Sequence, residues 1–228
     1  MALTTGFGLP MTLRDHGWRI AAGAERRRRW MAARVVAPLA LFTVATLSPI
    51  AGRAQLPAFE RVLPVQNAAP IDDAELIDQD GRPFRLSALK GRVVFVLFGF
   101  THCPDVCPVA MERLRELHDS GAVANGSVAY VMISVDGERD TPAAMKAFIT
   151  KFSQDFIGLT AEPSRVASVA NQFSARFYKG AHSGHGYDVA HSAQLFVLDP
   201  AGRLRAEVYG ASLEAMAGLT EALLTDAK

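Results

Sequence analysis

Two cysteines, Cys103 and Cys107, are the residues of this sequence whose type and spacing most directly suggest chemistry. They are the only cysteines among 228 residues, and three residues separate them in the stretch FTHCPDVCPVAM. Thiolates act as nucleophiles in redox reactions and as ligands for metal ions. The pair therefore indicates a redox site or a metal site, and either one requires the two sulfurs to lie close together.

The pair lies where a strand is predicted to end and a helix to begin. Residues 92–100 are β-branched and aromatic without alternation, as in a strand buried on both faces. Residues 109–121 form an amphipathic pattern that ends at a glycine, which predicts a helix. Unpaired N–H groups at a helix start stabilise thiolates and lower their pKa. If helical geometry extends over both cysteines, the i and i+4 positions share one face.

This spacing permits three kinds of site. A disulfide is possible after modest adjustment, although a bridge that closes so short a loop removes little entropy from the unfolded chain. Thiol–disulfide oxidoreductases commonly use C-x-x-C, so the extra residue here loosens that assignment without excluding it. Two sulfurs at this separation can also bind one metal ion.

A metal site needs a third ligand, and the histidines are the candidates. His191 precedes the predicted strand AQLFVLD, where a structural role is the simpler interpretation of the residue taken alone. His182 and His185 lie in a Gly- and Ser-rich loop and are either surface residues or an auxiliary capture site. His118 is expected on the surface of the first helix, and His102 points away from its neighbour Cys103. Two thiolates and one imidazole suit Cu(I) and can hold Cu(II), whereas structural zinc requires a fourth ligand, from the loop histidines or Asp136.

The remaining elements predict the fold that positions these residues. A D-G turn predicts a hairpin within residues 74–91, and SVAYVMISVD predicts a second buried strand. A second helix is predicted to begin at Pro142 with Asp140 or Thr141 as its cap, and a third helix is predicted over residues 162–177. A late hairpin and a last helix capped by Ser212 follow. The order indicates an α/β fold in which helices flank a central mixed β-sheet, with a hairpin added at the N-terminus.

The N-terminal 54 residues differ in charge from the rest of the chain. They carry eight Arg against one Asp and one Glu, about +6, whereas the remainder has 16 Lys and Arg against 21 Asp and Glu, about −5. An arginine block, an uncharged apolar run and small residues follow one another, which is the order of an export signal. We therefore predict an export signal or membrane anchor over residues 1–54, a linker over 55–66 and one domain over 67–228. The acidic body argues against nucleic-acid binding, and the leader predicts a location outside the cytoplasm.

Four motifs in order resemble the Sco/SenC family of copper proteins. They are FTHCPDVCP, SVDGERDTP, GLT and DVAHSAQLFVLDPAGRL, and the resemblance covers about residues 66–225. It implies a thioredoxin-like fold in which Cys103, Cys107 and His191 match the family's copper ligands. Asp136 and Asp140 match its acidic segment near the site.

Two positions depart from the family pattern. Gly137 stands where the family usually has proline, which we expect only to loosen a turn. Ala190 stands where many members have aspartate before the histidine, with Asp188 two residues earlier. If that aspartate orients the imidazole in the family, the sequence leaves open which group has this role here.

The resemblance implies a chaperone that helps to load copper into the binuclear CuA centre of cytochrome c oxidase. Its partners would be the CuA-bearing subunit and another periplasmic copper chaperone as donor, at the periplasmic face of the inner membrane. Copper would bind to reduced Cys103 and Cys107 with His191, and a disulfide between the cysteines would abolish the site. The alternative is an enzyme, a thiol–disulfide oxidoreductase that reduces the acceptor's cysteines or takes part in redox signalling. It would use Cys103 as the nucleophile and would not need His191.

Overall fold

A mixed β-sheet with helices packed against it forms the centre of the structure, a computed structural model that describes residues 61–66, 69–183 and 186–227. Residues 181–183 and 186 are described by their backbone only. The strands are β1 Arg61–Pro64, β2 Glu75–Asp78, β3 Pro83–Arg85, β4 Val93–Gly99, β5 Val128–Ser134, β6 Ile157–Thr160, β7 Phe177–Ser183, β8 Gly186–His191, β9 Leu195–Leu198 and β10 Leu204–Tyr209. The helices are α1 Val106–Asp119, α2 Pro142–Ile149, α3 Pro163–Gln172 and α4 Leu213–Thr225.

The central sheet has eight strands in the order β1-β10-β9-β4-β5-β6-β2-β3. Pairs β4–β5 and β5–β6 are parallel, and the other neighbours are antiparallel. The predicted mixed sheet is confirmed, and so is the N-terminal hairpin, since β2 and β3 pair with each other at one edge. Strands β7 and β8 form a separate two-stranded sheet, called here the β7–β8 hairpin.

Both predicted central strands are buried along their whole length. Every residue of β4 and β5 is buried, because helices or other packed segments cover both faces of the sheet. Their parallel register runs from Val93 opposite Val128 to Gly99 opposite Ser134. The two strands therefore end at the same edge, and the segments that follow them, residues 100–105 and 135–141, lie side by side.

The helix starts follow local capping chemistry. Thr141, not Asp140, caps α2 by accepting a hydrogen bond from the N–H of Ala144, and Pro142 occupies the first turn. Ser212 caps α4 in the same way, as predicted. The Asp140 carboxylate instead accepts hydrogen bonds from Thr101, in the loop that carries Cys103.

Two predictions about local structure are wrong. The third helix ends at Gln172 and not at Phe177, because Ser174 adopts a positive φ of 58° and the chain turns into β7. The segment around His182, predicted as a loop, belongs to the β7–β8 hairpin. Residues 61–64, at the end of the segment predicted as a linker, form edge strand β1 against β10.

The predicted leader, residues 1–54, lies outside the described residues, so the export signal or anchor stays a prediction. In the part of the chain that the structure covers, no helix is both long and apolar enough to cross a membrane. The described residues belong to one compact unit that extends over Arg53–Lys228.

Candidate metal centre

The two cysteines lie at the carboxyl end of β4, one on each side of a helix start. Cys107 is in the first turn of α1, whereas Cys103 precedes the helix in the turn that follows β4. Helical geometry therefore does not extend over both cysteines. A hydrogen bond from the Cys103 N–H to the Phe100 carbonyl, 3.2 Å long, closes the turn. This turn folds Cys103 back towards Cys107, so the two sulfurs still meet.

Close packing at the end of β4 holds the Cys107 sulfur in place. A Cβ atom added at Gly99 would lie 2.6 Å from the Cys107 sulfur and 3.2 Å from the terminal methyl of Met132. Real Cβ atoms do not approach other atoms so closely, and glycine is therefore required where the strand passes beneath the thiol. Cys107 is fully buried, and Cys103 is 9% exposed.

His191 completes a group of three metal-ligating side chains. Its Nε2 lies 3.4 Å from the Cys107 sulfur and 3.8 Å from the Cys103 sulfur. The three ligand atoms all lie within 4.8 Å of one another, and no other group of three or more potential ligands occurs among the described residues. The three residues come from three parts of the chain. Cys103 lies in the turn after β4, Cys107 in the first turn of α1, and His191 at the end of β8.

The imidazole is oriented by a backbone carbonyl and an aromatic ring. Nδ1 of His191 lies 2.9 Å from the carbonyl oxygen of Ser192, which assigns a proton to Nδ1 and leaves Nε2 facing the thiols. The Phe100 ring packs edge-on at 5.6 Å between centroids. Asp188 is exposed, and the described hydrogen-bond partner that orients the imidazole is the Ser192 carbonyl.

Burial sets the electrostatics of the metal-free thiols. It raises the pKa of the Cys107 thiol, and the neighbouring Cys103 and Asp140 raise it further, against a hydrogen bond from the Phe100 backbone. The prediction of a lowered pKa at the helix start is therefore wrong for Cys107. Both cysteines are free in this structure, and the predicted disulfide stays a prediction. A metal ion that binds here must displace protons.

Asp140 anchors the loop that carries Cys103. Its carboxylate is fully buried and accepts hydrogen bonds from the Thr101 N–H at 2.9 Å and the Thr101 hydroxyl at 2.6 Å. The Ser134 hydroxyl donates a third, at 2.7 Å. Asp140 therefore ties the turn after β4 to the end of β5, and it supports the site through Thr101.

Asp136 anchors the element that carries His191. It is buried and accepts hydrogen bonds from the Tyr187 hydroxyl, at 2.5 Å, and from Nε of Arg139. Because both its oxygens are used in this way, Asp136 is not placed to serve as a fourth metal ligand. Arg139 lies within the motif SVDGERDTP, but neither Arg139 nor Tyr187 was predicted to act at the site, because their contacts join segments 48 and 51 residues apart in the chain.

The other histidines lie apart from this group or outside the described side chains. The His102 side chain is 57% exposed and contacts Thr101 and Asp140. His118 is partly buried between Asp119 and Asp155 and packs on the Tyr130 and Phe156 rings, so it is less solvated than predicted. The predicted auxiliary role of His182 and His185 concerns side chains that the structure leaves undescribed.

Glycine at position 137 is explained by close packing. A Cβ atom there would lie 2.2 Å from the carbonyl oxygen of Ala161. The turn therefore accepts no side chain, and the expectation that glycine merely loosens it is wrong.

Comparison with known proteins gives a consistent result. The family model described as SCO1/SenC matches residues 66–223. A SCO2-like protein from Rickettsia conorii is 34% identical over 140 residues, which is 60% of this chain and 68% of the relative. The mitochondrial SCO2 homologue of Mus musculus is 34% identical over 155 residues, 66% of this chain and 60% of that protein.

Solved structures match over the same region. Copper-bound ScoI from Bradyrhizobium japonicum has 30% identity and a TM-score of 0.62, over 68% of this chain and 99% of that chain. Apo Sco1 from Thermus thermophilus has 31% identity and a TM-score of 0.61, over 71% of this chain and 94% of that chain. The expected thioredoxin-like fold of this family is confirmed.

Proposed function

The chain belongs to the SCO1/SenC family, and from this premise we propose that it binds one copper ion through Cys103, Cys107 and His191. The observation that carries the proposal is the convergence of the three ligand atoms within 4.8 Å. Thiolate and imidazole ligands suit Cu(I) and also hold Cu(II). One of the structural relatives is described as having copper bound.

We further propose that the protein is a metallochaperone for the CuA centre of cytochrome c oxidase, as the family resemblance implies. Copper leaves by ligand exchange, in which the acceptor's thiolates replace those of this chain. Two ligands lie on the central body and the third on the β7–β8 hairpin, so the acceptor can displace the imidazole first. The donor would be another periplasmic copper chaperone, and the site of action the periplasmic face of the inner membrane, reached through the N-terminal leader.

The alternative function, thiol–disulfide exchange, is supported by the closeness of the same two free thiols. The raised pKa of Cys107 speaks against it as the attacking group, because the thiolate is the nucleophile. Cys103 would have to attack first, and Cys107 would resolve the mixed disulfide.

The test of the metal site is the copper content of the reduced protein and of three variants, Cys103→Ala, Cys107→Ala and His191→Ala. We expect one copper per wild-type chain and lost or weakened binding in each variant. His102→Ala is the matched control, because this exposed histidine adjoins Cys103 but is not one of the three ligands. A reduced wild type that binds no copper would falsify the proposal.

Delivery is tested separately. The copper-loaded protein is mixed with the soluble, copper-free CuA domain of the oxidase, and the absorption of the filled binuclear centre is followed. Transfer that requires His191 supports the chaperone. Reduction of the domain's disulfide by His191→Ala at the wild-type rate, without any copper transfer by the wild type, would support the oxidoreductase instead.

A further inference from the structure

The three proposed ligands are divided between two sheets. Cys103 and Cys107 follow β4 of the eight-stranded sheet, whereas His191 ends β8 of the β7–β8 hairpin. Strand β8 hydrogen-bonds to β7 and belongs to a separate two-stranded sheet. The distance between imidazole and thiols therefore depends on how the hairpin is held against the body, as well as on the short segment that joins His191 to β9.

Tyr187 provides a buried polar attachment of the hairpin to the body. Alternate residues of a strand share a face, so Tyr187, Val189 and His191 all point to the same side. Tyr187 and Val189 are each 8% exposed, which shows that this side faces the protein. The Tyr187 hydroxyl donates a hydrogen bond to the buried carboxylate of Asp136. Tyr187 lies on the same strand as the proposed ligand His191, four residues before it.

Arg139 makes two further contacts with Tyr187. Its Nη1 donates to the Tyr187 carbonyl oxygen at 3.0 Å, and its guanidinium carbon lies 3.9 Å from the Tyr187 ring centroid. It is also bonded through Nε to Asp136, which fixes the guanidinium. A more exposed pair, Lys179 with Glu138 at 2.6 Å, joins β7 to the same turn. Residues 136–139 thus contact both strands of the hairpin.

We propose that Tyr187, Asp136 and Arg139 form a clamp that positions His191 and limits the rate at which copper leaves the site. The clamp residues are positioning residues, because none of them is among the three ligands. When the clamp is closed, the imidazole stays on the thiols. When it opens, the hairpin moves away and two thiolates alone hold the ion. The inference rests on the proposed copper site and adds the element that regulates it.

The experiment compares Tyr187→Phe, Asp136→Asn and the double variant. Phenylalanine keeps the buried ring but removes the hydroxyl, and asparagine keeps the shape but removes the charge. Tyr178→Phe is the matched control, because Tyr178 lies on β7 of the same hairpin and is 72% exposed. Each reduced protein is loaded with one Cu(I), and the transfer of copper to a strong chelator is timed. A second sample of each protein is loaded with Cu(II), and its thiolate-to-Cu(II) absorption band is recorded. The thermal unfolding of each protein is measured as well.

We expect each single clamp variant to release copper about tenfold faster, the low end of the effect of losing a group that orients a metal ligand. The double variant should be accelerated by less than the product of the two single effects, because both changes weaken the Tyr187–Asp136 contact. The absorption band should shift as the imidazole loosens, which a general loss of stability would not produce. Tyr178→Phe should behave as the wild type. Wild-type release rates and an unshifted band in folded Tyr187→Phe and Asp136→Asn would overturn the proposal.

Amide hydrogen exchange of the copper-free protein is a second test of the clamp, and it does not require copper. Opening of the clamp should speed exchange at residues 187–191 in Tyr187→Phe and leave β4 and β5 protected. If the wild type binds no copper, that result contradicts only the proposed function. Faster exchange would then still support the clamp, and unchanged exchange would overturn it.

Discussion

Single residues decide how closely the metal ligands approach one another. Gly99 lets β4 pass under the Cys107 sulfur, and the Ser192 carbonyl turns Nε2 of His191 towards the thiols. Neither contribution depends on a charged or reactive side chain. The metal centre is therefore set as much by a missing Cβ atom and a backbone carbonyl as by the ligands themselves.

Replacement of Gly99 by alanine should displace the Cys107 sulfur. We expect a loss of about 1–3 kcal/mol in the free energy of unfolding, as is typical of overpacking a close-packed core, together with weaker copper binding. Urea unfolding and a copper-competition titration measure the two effects. Gly218→Ala is the matched control, since nothing lies within 4 Å of a Cβ there in α4. Equal copper affinity in Gly99→Ala and the wild type would contradict the argument.

At the scale of secondary structure, two hairpin turns are built in the same way. Asp78 before Arg82 and Asp199 before Arg203 each accept hydrogen bonds from backbone N–H groups two and four residues later. Each also bonds Nε of the arginine that follows, at 2.9 and 2.8 Å. The motif D-x-x-G-R thus closes both β2–β3 and β9–β10, and the second turn fixes the strand that begins four residues after His191.

Replacement of Asp199 by asparagine tests this turn through its pH dependence. Burial by itself would raise the pKa of Asp199, but hydrogen bonds from Arg203 and Arg205 hold it below the ordinary 3.8. The carboxylate therefore stabilises the fold fully above pH 3.8, and this stabilisation is lost as the pH falls through the lowered pKa. We expect Asp199→Asn to lose about 2 kcal/mol of unfolding free energy at pH 7, as for a hydrogen bond to a charged group.

Urea unfolding at pH 7 and at pH 3 measures this loss. The difference between Asp199→Asn and the wild type should shrink at the lower pH, whereas the exposed Asp188→Asn should match the wild type at both. A difference of the same size at both pH values would show that the charge of Asp199 does not act as described.

At the scale of the whole molecule, the metal centre exists only in the folded chain. His191 is 88 residues from Cys103 and 84 from Cys107 along the sequence. A ligand that binds only the folded state stabilises it by mass action. Copper binding and folding are therefore linked in this protein.

Thermal unfolding of the reduced protein with and without copper tests this link. At free copper a thousandfold above Kd, we expect a gain of about 4 kcal/mol in unfolding free energy. His102→Ala should retain the gain, and His191→Ala should lose part of it. The oxidised protein with a Cys103–Cys107 disulfide should show none, because its thiolates are no longer available. A gain of equal size in His191→Ala would argue against His191 as a ligand.

The sequence by itself determined the central strands and the capped helices, and its family resemblance predicted the three candidate ligands. Uninterrupted apolar runs predict β4 and β5. Pro142 and Ser212 mark helix starts, although the cap before Pro142 was left open between Asp140 and Thr141. The ordered motifs point to Cys103, Cys107 and His191. The strand and cap signals are local, and the three candidate ligands lie in motifs that resemble those of a known family.

Only the tertiary structure decided how the ligands are held. The turn that places Cys103 outside the helix, the burial that raises the pKa of Cys107 and the hairpin attached by Tyr187 all depend on contacts between distant segments. A hydroxyl that bonds a carboxylate 51 residues away leaves no local pattern. The same is true of a glycine whose partner is a sulfur on the next element, because chain neighbours do not reveal which atoms meet in space.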